Sequence, residues 1–422
     1  MSAYSNIQSL FKRRYGPYVN PIPSDNTIAQ YMSFVPQNLR PGEDFRFPVQ
    51  LTLEHGVTHN VDETAFTISS VIDSTTGIAN LDGSTVLIAG NIPYDVISKA
   101  MNGDSAYFPA MDYKIKALTQ SAELYRELNL MYGGGTDSTL LAELGTVSAS
   151  VSGADLGTPQ VVNLTRATWS PGVWNTMVNG IVDIYQSDGS TERATGVTVT
   201  AIDPTQNRIT LTKSGSSTTV ATGDVLVARG SKAKQCVGVK GILQNTGSLF
   251  GISAATYPLW RSLIHSAGST TLSIATIQQM GAKLANNGLT SGGKLFVSAA
   301  TFADLVAELQ ADDRYNNPGA DAKQTGHYNL LVKTSAGPVD VAVHKFQQQG
   351  FAYFLAKGIG KRVGSTDNTF SLPGTNKWFY VELESSAGCQ VRVFSNQAPI
   401  LTVPYHCAIV NNIQNNGDTT PA

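Results

Sequence analysis

The sequence is poor in charge, in cysteine and in long apolar runs. Charged residues make up 14% of the chain and the formal net charge is -2, which excludes a strong global attraction to nucleic acid or to an anionic membrane surface. The three cysteines, Cys236, Cys389 and Cys407, lie far apart and form no CxxC pair, so neither a disulfide framework nor a structural zinc site is expected. They read as reduced thiols that serve as packing residues. No stretch of about twenty predominantly apolar residues occurs. The uncharged run from Gly241 to Trp260 is interrupted throughout by Gly, Ser, Thr and Asn. The opening MSAYSNIQSLFKRRYG lacks the apolar core of a secretion signal, so the expectation is a soluble chain made in a cytoplasm.

Local catalytic and ligand motifs are missing as well. No GxSxG, HExxH or clustered Cys/His pattern is present. Gly288, Gly293 and Lys294 have the spacing of a phosphate-binding loop. However, Leu295 stands where a metal-binding Ser or Thr belongs, and the segment leads into a strand rather than out of one. His55 and His59 are four apart beside an alternating strand, where four residues span about 13 Å and two imidazoles do not meet on one metal. The remaining histidines, His265, His327, His344 and His406, have no Asp, Glu or Cys at ligand spacing. No cofactor and no catalytic residue is expected. An enzyme with a site assembled from distant residues stays open as an alternative.

What is present is an ordered series of segments. Residues 1–42 carry prolines at 17, 21, 23, 36 and 41, which deny a long helix or central strand and suit an extended arm. The arm is basic, with Lys12, Arg13, Arg14 and Arg40 against Asp25. Over 43–98 the run FRFPVQLTL alternates Phe45, Phe47, Val49, Leu51 and Leu53, the period-two pattern of a half-buried strand. AFTISSVI and STVLIAGNI follow, which suggests a long β-hairpin or loop. This stretch is acidic: Glu43, Asp44, Glu54, Asp62, Glu63, Asp73, Asp82 and Asp95 face Arg46 alone.

Then Phe108, Met111, Ile115, Leu118, Ala122 and Tyr125 recur at steps of three and four, continued by Leu128 and Tyr132. That is the stripe of an amphipathic helix, with Lys114, Lys116, Gln120, Glu123 and Glu127 on its other faces. Pro109 suits the first turn and Gly133–Gly135 ends it. Roughly 25 residues make a rod of about 38 Å. From 146 to 231 only short strands appear, divided by SDGS, PTQN and SGSS turns, in the manner of a small β-barrel or sandwich. The remainder mixes a helix over Thr271–Asn287, the strand KLFVSA, the helix TFADLVAELQADD and a series of strands ending in ILTVPYHCAIV.

In this order the segments resemble the major capsid proteins of tailed bacteriophages, the Hong Kong 97-type capsid fold. GPYVNPIPSDN is similar to the family's N-terminal arm, GEDFRFPVQLTLEHGV opens its extended loop (E-loop), and YFPAMDYKIKALTQSAELYRELNLMY looks like its spine helix. VGVKGILQNTGSLFGISAATYPLWRS is similar to a stretch common after the spine, and LSIATIQQMGAKLANNG with KLFVSAATFADLVAEL resembles the axial-domain helix-strand-helix. The β-rich region 146–231 departs from the minimal fold and reads as an inserted domain.

The resemblance implies an α+β chain divided into an arm (1–42), an E-loop (43–98), a peripheral domain (99–145 and 232–268) interrupted by the inserted domain (146–231), an axial domain (269–365), and C-terminal strands returning to the periphery with a tail (366–422). It implies a non-enzymatic major capsid (head) protein. Such a protein builds pentamers and hexamers of itself into an icosahedral shell around double-stranded DNA, which it touches weakly and non-specifically. The same resemblance implies a separate scaffolding protein or a scaffolding segment removed earlier, a portal, room for a decoration protein, no membrane, assembly in a bacterial cytoplasm and residence in the virion. Lys12, Arg13, Arg14, Phe45, Phe47, Glu54, Asp62 and Glu63 are the candidate subunit contacts. Phe108, Met111, Ile115, Leu118 and Tyr125 are the candidate spine core. A tail-tube or fibre subunit is the structural alternative, against which the long helix argues. Some shells of this fold join subunits through an E-loop lysine; no lysine occurs between Phe47 and Ser98, so a non-covalent shell is expected.

Overall fold

The computed structural model describes residues 28–36, 45–65, 68, 70–81, 83–93, 108–135, 143–153, 155–316, 330–371, 380–382 and 388–416. The arm residues Lys12, Arg13 and Arg14 lie outside this set.

The 25-residue helix Phe108–Tyr132 forms where the three-four stripe runs. Leu118, Ala122 and Leu128 on that stripe are buried, while Ile115 and Tyr125 are half-buried. Phe108 and Met111 lie on the helix, but their side chains fall outside the described residues. Under the helix runs a five-stranded sheet. Its strand Gly388–Leu401 pairs with Ser84–Pro93 on one side and with Gly360–Thr369 and Tyr380–Glu382 on the other. Ser33–Pro36 adds to it in parallel beside Lys361–Gly364. Leu118 packs with Ile92, Ala122, Val391 and Val393 between helix and sheet. Gly90 lets the two approach: a Cβ there would sit 2.9 Å from Leu118 Cδ1.

STVLIAGNI therefore does not extend the hairpin, as its position in the sequence suggested; it is a strand of this sheet. The hairpin itself pairs Phe45–Gln50 with Thr76–Leu81, in the register Phe47 to Ala79. Phe47, Leu51, Ala79 and Leu81 bury one face of it against Ile252, Trp260, Val363 and Ile400.

A second, six-stranded mixed sheet runs in the order Leu263–Thr270, Ala408–Ile413, Ala352–Ala356, Gly293–Val297, Gly337–Val343, Leu330–Thr334. Its strand Ala352–Ala356 is buried throughout, as expected for a central strand with apolar residues on both faces. The helices Ile274–Asn286 and Ala299–Asn316 pack on this sheet. Ser273 caps the first by accepting the Thr276 N–H at 3.2 Å, and Glu308 of the second accepts the Ile274 N–H at 3.0 Å.

In the sequence between the long helix and the strands of this sheet, strands drawn from Gly145–Ala228 close into a six-stranded barrel. It holds fully buried Trp169 and Trp174, stacked at 6.5 Å between ring centroids. The barrel is bonded to the turn after Val343: Gln349 and Gly350 donate their N–H groups to the carbonyls of Trp169 and Ala167, each at 3.0 Å.

Glu127, placed by the periodicity on a polar face, is 2% exposed. In the last two turns the helix is enclosed on all sides, so position on the wheel ceases to predict burial. The Glu127 carboxylate accepts the N–H of Ile28 at 2.6 Å and of Ala29 at 3.2 Å, and meets His344 Nε2 at 2.9 Å.

Two expectations follow for stability, read from urea unfolding of the purified chain. Leu118→Asp sets a carboxylate between helix and sheet with no cation to meet it and should cost about 3 kcal/mol or more. Glu127→Ala leaves two N–H groups and an imidazole without their acceptor and should cost about 3–5 kcal/mol. Stability within about 1 kcal/mol of the parent would show that these contacts are not core.

Candidate assembly interface

The described residues bring together no group of three or more His, Cys, Asp or Glu side chains able to hold a metal, and no helix among them is long and apolar enough to cross a membrane. The three cysteines are free and buried, and burial pushes the Cys236 and Cys407 thiols up to about 12. The feature that stands out is the hairpin.

Beyond the paired strands the ribbon continues irregularly. Leu51 donates to Thr75 at 2.8 Å and His55 to Ile72 at 3.1 Å. At its end Asn60 and Thr64 tie a turn: Asn60 Nδ2 donates to the Thr64 carbonyl at 2.8 Å, and Thr64 Oγ1 to Asn60 Oδ1 at 2.9 Å. Glu63 takes a positive φ of 66° there. Leu53, Val57, Val61, Ile68, Val71 and Ile72 are each 58–75% exposed along this segment. Isolated exposed apolar residues are ordinary, but a run of this density marks a surface made to be covered. Glu54, Asp62, Glu63 and Asp73 are interleaved with them, with no Lys or Arg from 51 to 75.

The candidate contact residues thus divide. Glu54, Asp62 and Glu63 are exposed on the loop. Phe47 is 5% exposed and anchors the hairpin to its own chain instead of facing outward. Phe45 lies on the paired strand, its side chain outside the described residues. Sequence reasoning concentrated on charges and strand phenylalanines and passed over the tip's aliphatic residues. Their signal was legible: Val57, Val61, Val71 and Ile72 sit among Gly, Thr, Asp and Asn with no regular period, a pattern that gives them no shared face to bury.

Behind the hairpin stands a charged network. Arg362, itself buried, donates from Nε to the Met32 carbonyl at 3.0 Å, and from its terminal nitrogen to Gln397 Oε1 at 2.7 Å and to Asp367 at 3.2 Å. Arg126 of the long helix also reaches Asp367, at 3.0 Å. Burial raises the Asp367 carboxyl, but Arg362, the Asn368 N–H and Arg126 outweigh it and hold the group below the usual carboxylate range.

No family model matches the sequence, and no curated protein matches it. Solved structures do. A chain of the cyanophage A-1(L) capsid asymmetric unit superposes with a TM-score of 0.52 at 12% identity, over 97% of this chain and 99% of that one. A chain from the capsid of a native GTA particle gives a TM-score of 0.53 at 7% identity, over 98% of each. Both alignments run nearly end to end, so the likeness is one of overall fold. This chain has the α+β fold of the tailed-phage capsid proteins.

Proposed function

We propose that this chain is a major capsid protein that assembles with copies of itself into an icosahedral shell enclosing double-stranded phage DNA. The observation that carries the reading is the ribbon of exposed aliphatic residues at the hairpin tip, held out from a fold shared end to end with capsid chains. A protein acting alone gains nothing from such a surface, whereas one that tiles a shell covers it on a neighbour. The role is structural, not enzymatic. The proposed parts are an arm at 1–42, an E-loop that begins at 43 and ends before the sheet strand Ser84–Pro93, a peripheral domain on the long helix, an inserted barrel domain, and an axial domain on the six-stranded sheet.

On this reading Glu54, Asp62 and Glu63 meet basic groups of neighbouring subunits, with Lys12, Arg13 and Arg14 of the arm as candidates. Each exposed pair contributes only about 0–1 kcal/mol, so charge selects the neighbour and apolar burial holds it. The further partners proposed are a separate scaffolding protein, a portal, a decoration protein on the outer face, and packaged DNA through weak non-specific contacts. The place of action is the virion, after synthesis in a bacterial cytoplasm.

Electron microscopy of the purified chain, alone and with its scaffold, tests the proposal. Closed icosahedral shells are expected; tubes, fibres or a persistent monomer at high concentration would defeat it. Replacing Lys12, Arg13 and Arg14 by Ser should lower shell yield while leaving the folding of the monomer unchanged.

The shell is expected to be non-covalent. A lysine donor must lose its proton before it attacks an amide, and an arginine cannot take its place because its guanidinium stays charged. Between Phe47 and Ser98 no lysine is present. Boiling particles in detergent should release single chains of 44.8 kDa. A ladder of covalent multimers would refute this and direct attention to a lysine beyond the loop, such as Lys99.

A further inference from the structure

Lysine is almost never fully buried without a partner, and Lys240 is 7% exposed. It stands in the short helix Val239–Gln244 and meets two other segments. Its Nζ donates to Gln348 Oε1 at 2.7 Å, 108 positions on, and lies 3.3 Å from Glu143 Oε2, 97 positions back. Gln348, wholly buried, sits on the turn after Val343, and Glu143 leads into the barrel strand Gly145–Ser152. Chemistry fixes the orientation of the amide. Its Nε2 donates to the Glu143 main-chain carbonyl at 3.1 Å, an atom that only accepts, so Oε1 faces the ammonium, which only donates. The Gln348 N–H is held by the Tyr132 hydroxyl at 3.0 Å, and the Glu143 carboxylate by Thr146 Oγ1. The Phe351 ring, centred 4.5 Å from Nζ, and the Tyr132 ring, at 5.9 Å, wall the group in.

We infer that Lys240 and Gln348 join in an isopeptide bond within the chain. Nζ is hydrogen-bonded to Oε1 at 2.7 Å, and a carbonyl is about 1.23 Å long, so Nζ lies within about 4 Å of Cδ. Rotation of the lysine torsions brings it to the roughly 3–3.5 Å from which a nucleophile attacks. An ammonium has no free electron pair, and the carboxylate that can take its proton is already beside it.

Glu143 Oε2 takes one proton from Nζ. The freed pair forms the Nζ–Cδ bond while the carbonyl π pair moves onto Oε1. Glu143 hands that proton to Nε2, which its own main-chain carbonyl already holds, and carries a second one from Nζ by the same route. The carbonyl re-forms, the Cδ–Nε2 bond breaks with its pair on nitrogen, and that nitrogen departs as ammonium. Two protons leave Lys240, two arrive on the leaving nitrogen, and the positive charge goes with it. Nothing is oxidised or reduced, and no co-reactant enters. Enclosure by Phe351 and Tyr132 keeps water from competing for Cδ. The bond closes residues 240–348, which include both helices on the six-stranded sheet, into a covalent loop. Lying inside one chain, it adds no rung to a ladder of multimers, and it stands or falls independently of the capsid reading.

The test is the mass of the intact purified chain in denaturant, followed by trypsin digestion and fragment sequencing. The chain is expected to be lighter than its sequence requires by one ammonia. The digest is expected to hold a branched peptide in which Lys240 is uncut and joined to Gln348, not to its neighbours Gln347 or Gln349. Full mass together with cleavage after Lys240 would overturn the inference and leave an ion pair and a hydrogen bond in its place. Loss of ammonia traced to another residue would overturn it as well. Lys240→Arg, whose guanidinium keeps its proton, and Glu143→Gln, which can hydrogen-bond but cannot carry the proton, should each show the full mass of their own sequence. Ammonia loss in Glu143→Gln would overturn the role given to Glu143. The parent chain is measured first, so the outcome does not depend on either variant folding.

Discussion

The fold depends on one buried carboxylate. Glu127 sits in the long helix at 2% exposure and is met by groups from two distant parts of the chain: the N–H groups of Ile28 and Ala29, and His344 Nε2. The Phe346 N–H, 3.2 Å from Nδ1 of that histidine, needs an acceptor there. Nδ1 is therefore the bare nitrogen and Nε2 carries the hydrogen that points at Glu127. A buried charge is tolerated only when its hydrogen bonds are filled, and here three donors fill them. One side chain thereby joins the segment at Ile28, the long helix and the turn after Val343 in a single arrangement. Tyr132, just over one turn further on, reinforces it: its hydroxyl donates to the Phe346 carbonyl at 2.5 Å and accepts the Gln348 N–H at 3.0 Å.

Away from that centre the segments are anchored by different contacts. The segment Ile28–Pro36 is pinned at both ends, by Glu127 at Ile28 and by Arg362 and the strand Gly360–Thr369 from Met32 onward. The hairpin base is pinned by Phe47 and Leu81 in an apolar cluster with Trp260 and Ile400. Among the described residues the tip is shaped by main-chain bonds such as His55 to Ile72 and by the Asn60–Thr64 turn. A shell places chemically identical subunits in unequal surroundings, so it needs a rigid body with extensions that adjust. The barrel is fastened to the body. It is bonded through Trp169 and Ala167 to the same turn that carries His344, and a Cβ at Gly172 would lie 2.0 Å from the Lys345 carbonyl oxygen, so only glycine permits the approach.

Much of this was legible from periodicity. The stripe through Leu118 and Ala122 announced the long helix, and the spaced turns of 146–231 announced strands that close into the barrel. Alternation alone located the hairpin strand at Phe45–Gln50. What escaped were relations across long separations. Glu127 and His344 are 217 positions apart; the helical period puts Glu127 on a polar face, and His344 has no acidic residue at close spacing to mark it as a partner. Ser84–Pro93 looked like a continuation of the hairpin because its neighbour in sequence is the hairpin. Its real partner, Gly388–Leu401, lies some three hundred residues on, and nothing in the alternation of either strand names the other. Phe47 was legible as apolar but not as inward-facing on its own chain, since period two states that faces differ and not which is covered.

On the proposed capsid role, the energetics of a hairpin contact would favour a closed shell over a dimer. Covering one exposed aliphatic side chain is worth about 1–2 kcal/mol when part of it is already buried, so six amount to roughly 6–12 kcal/mol. Fixing two subunits relative to one another costs an estimated 4–15 kcal/mol. The two are of the same size, and one tip on one neighbour holds weakly and releases readily. In a closed ring each subunit gives one tip and receives another, and the last subunit forms two contacts while losing its freedom only once. Closure is then favoured where pairing is marginal, and a misplaced subunit, holding by one contact, leaves before the ring seals. A charge-poor chain suits this regime. With 14% charged residues and a net charge of -2, copies neither repel strongly nor stick by long-range attraction, which on the proposed role leaves short-range fit to decide where each subunit stays.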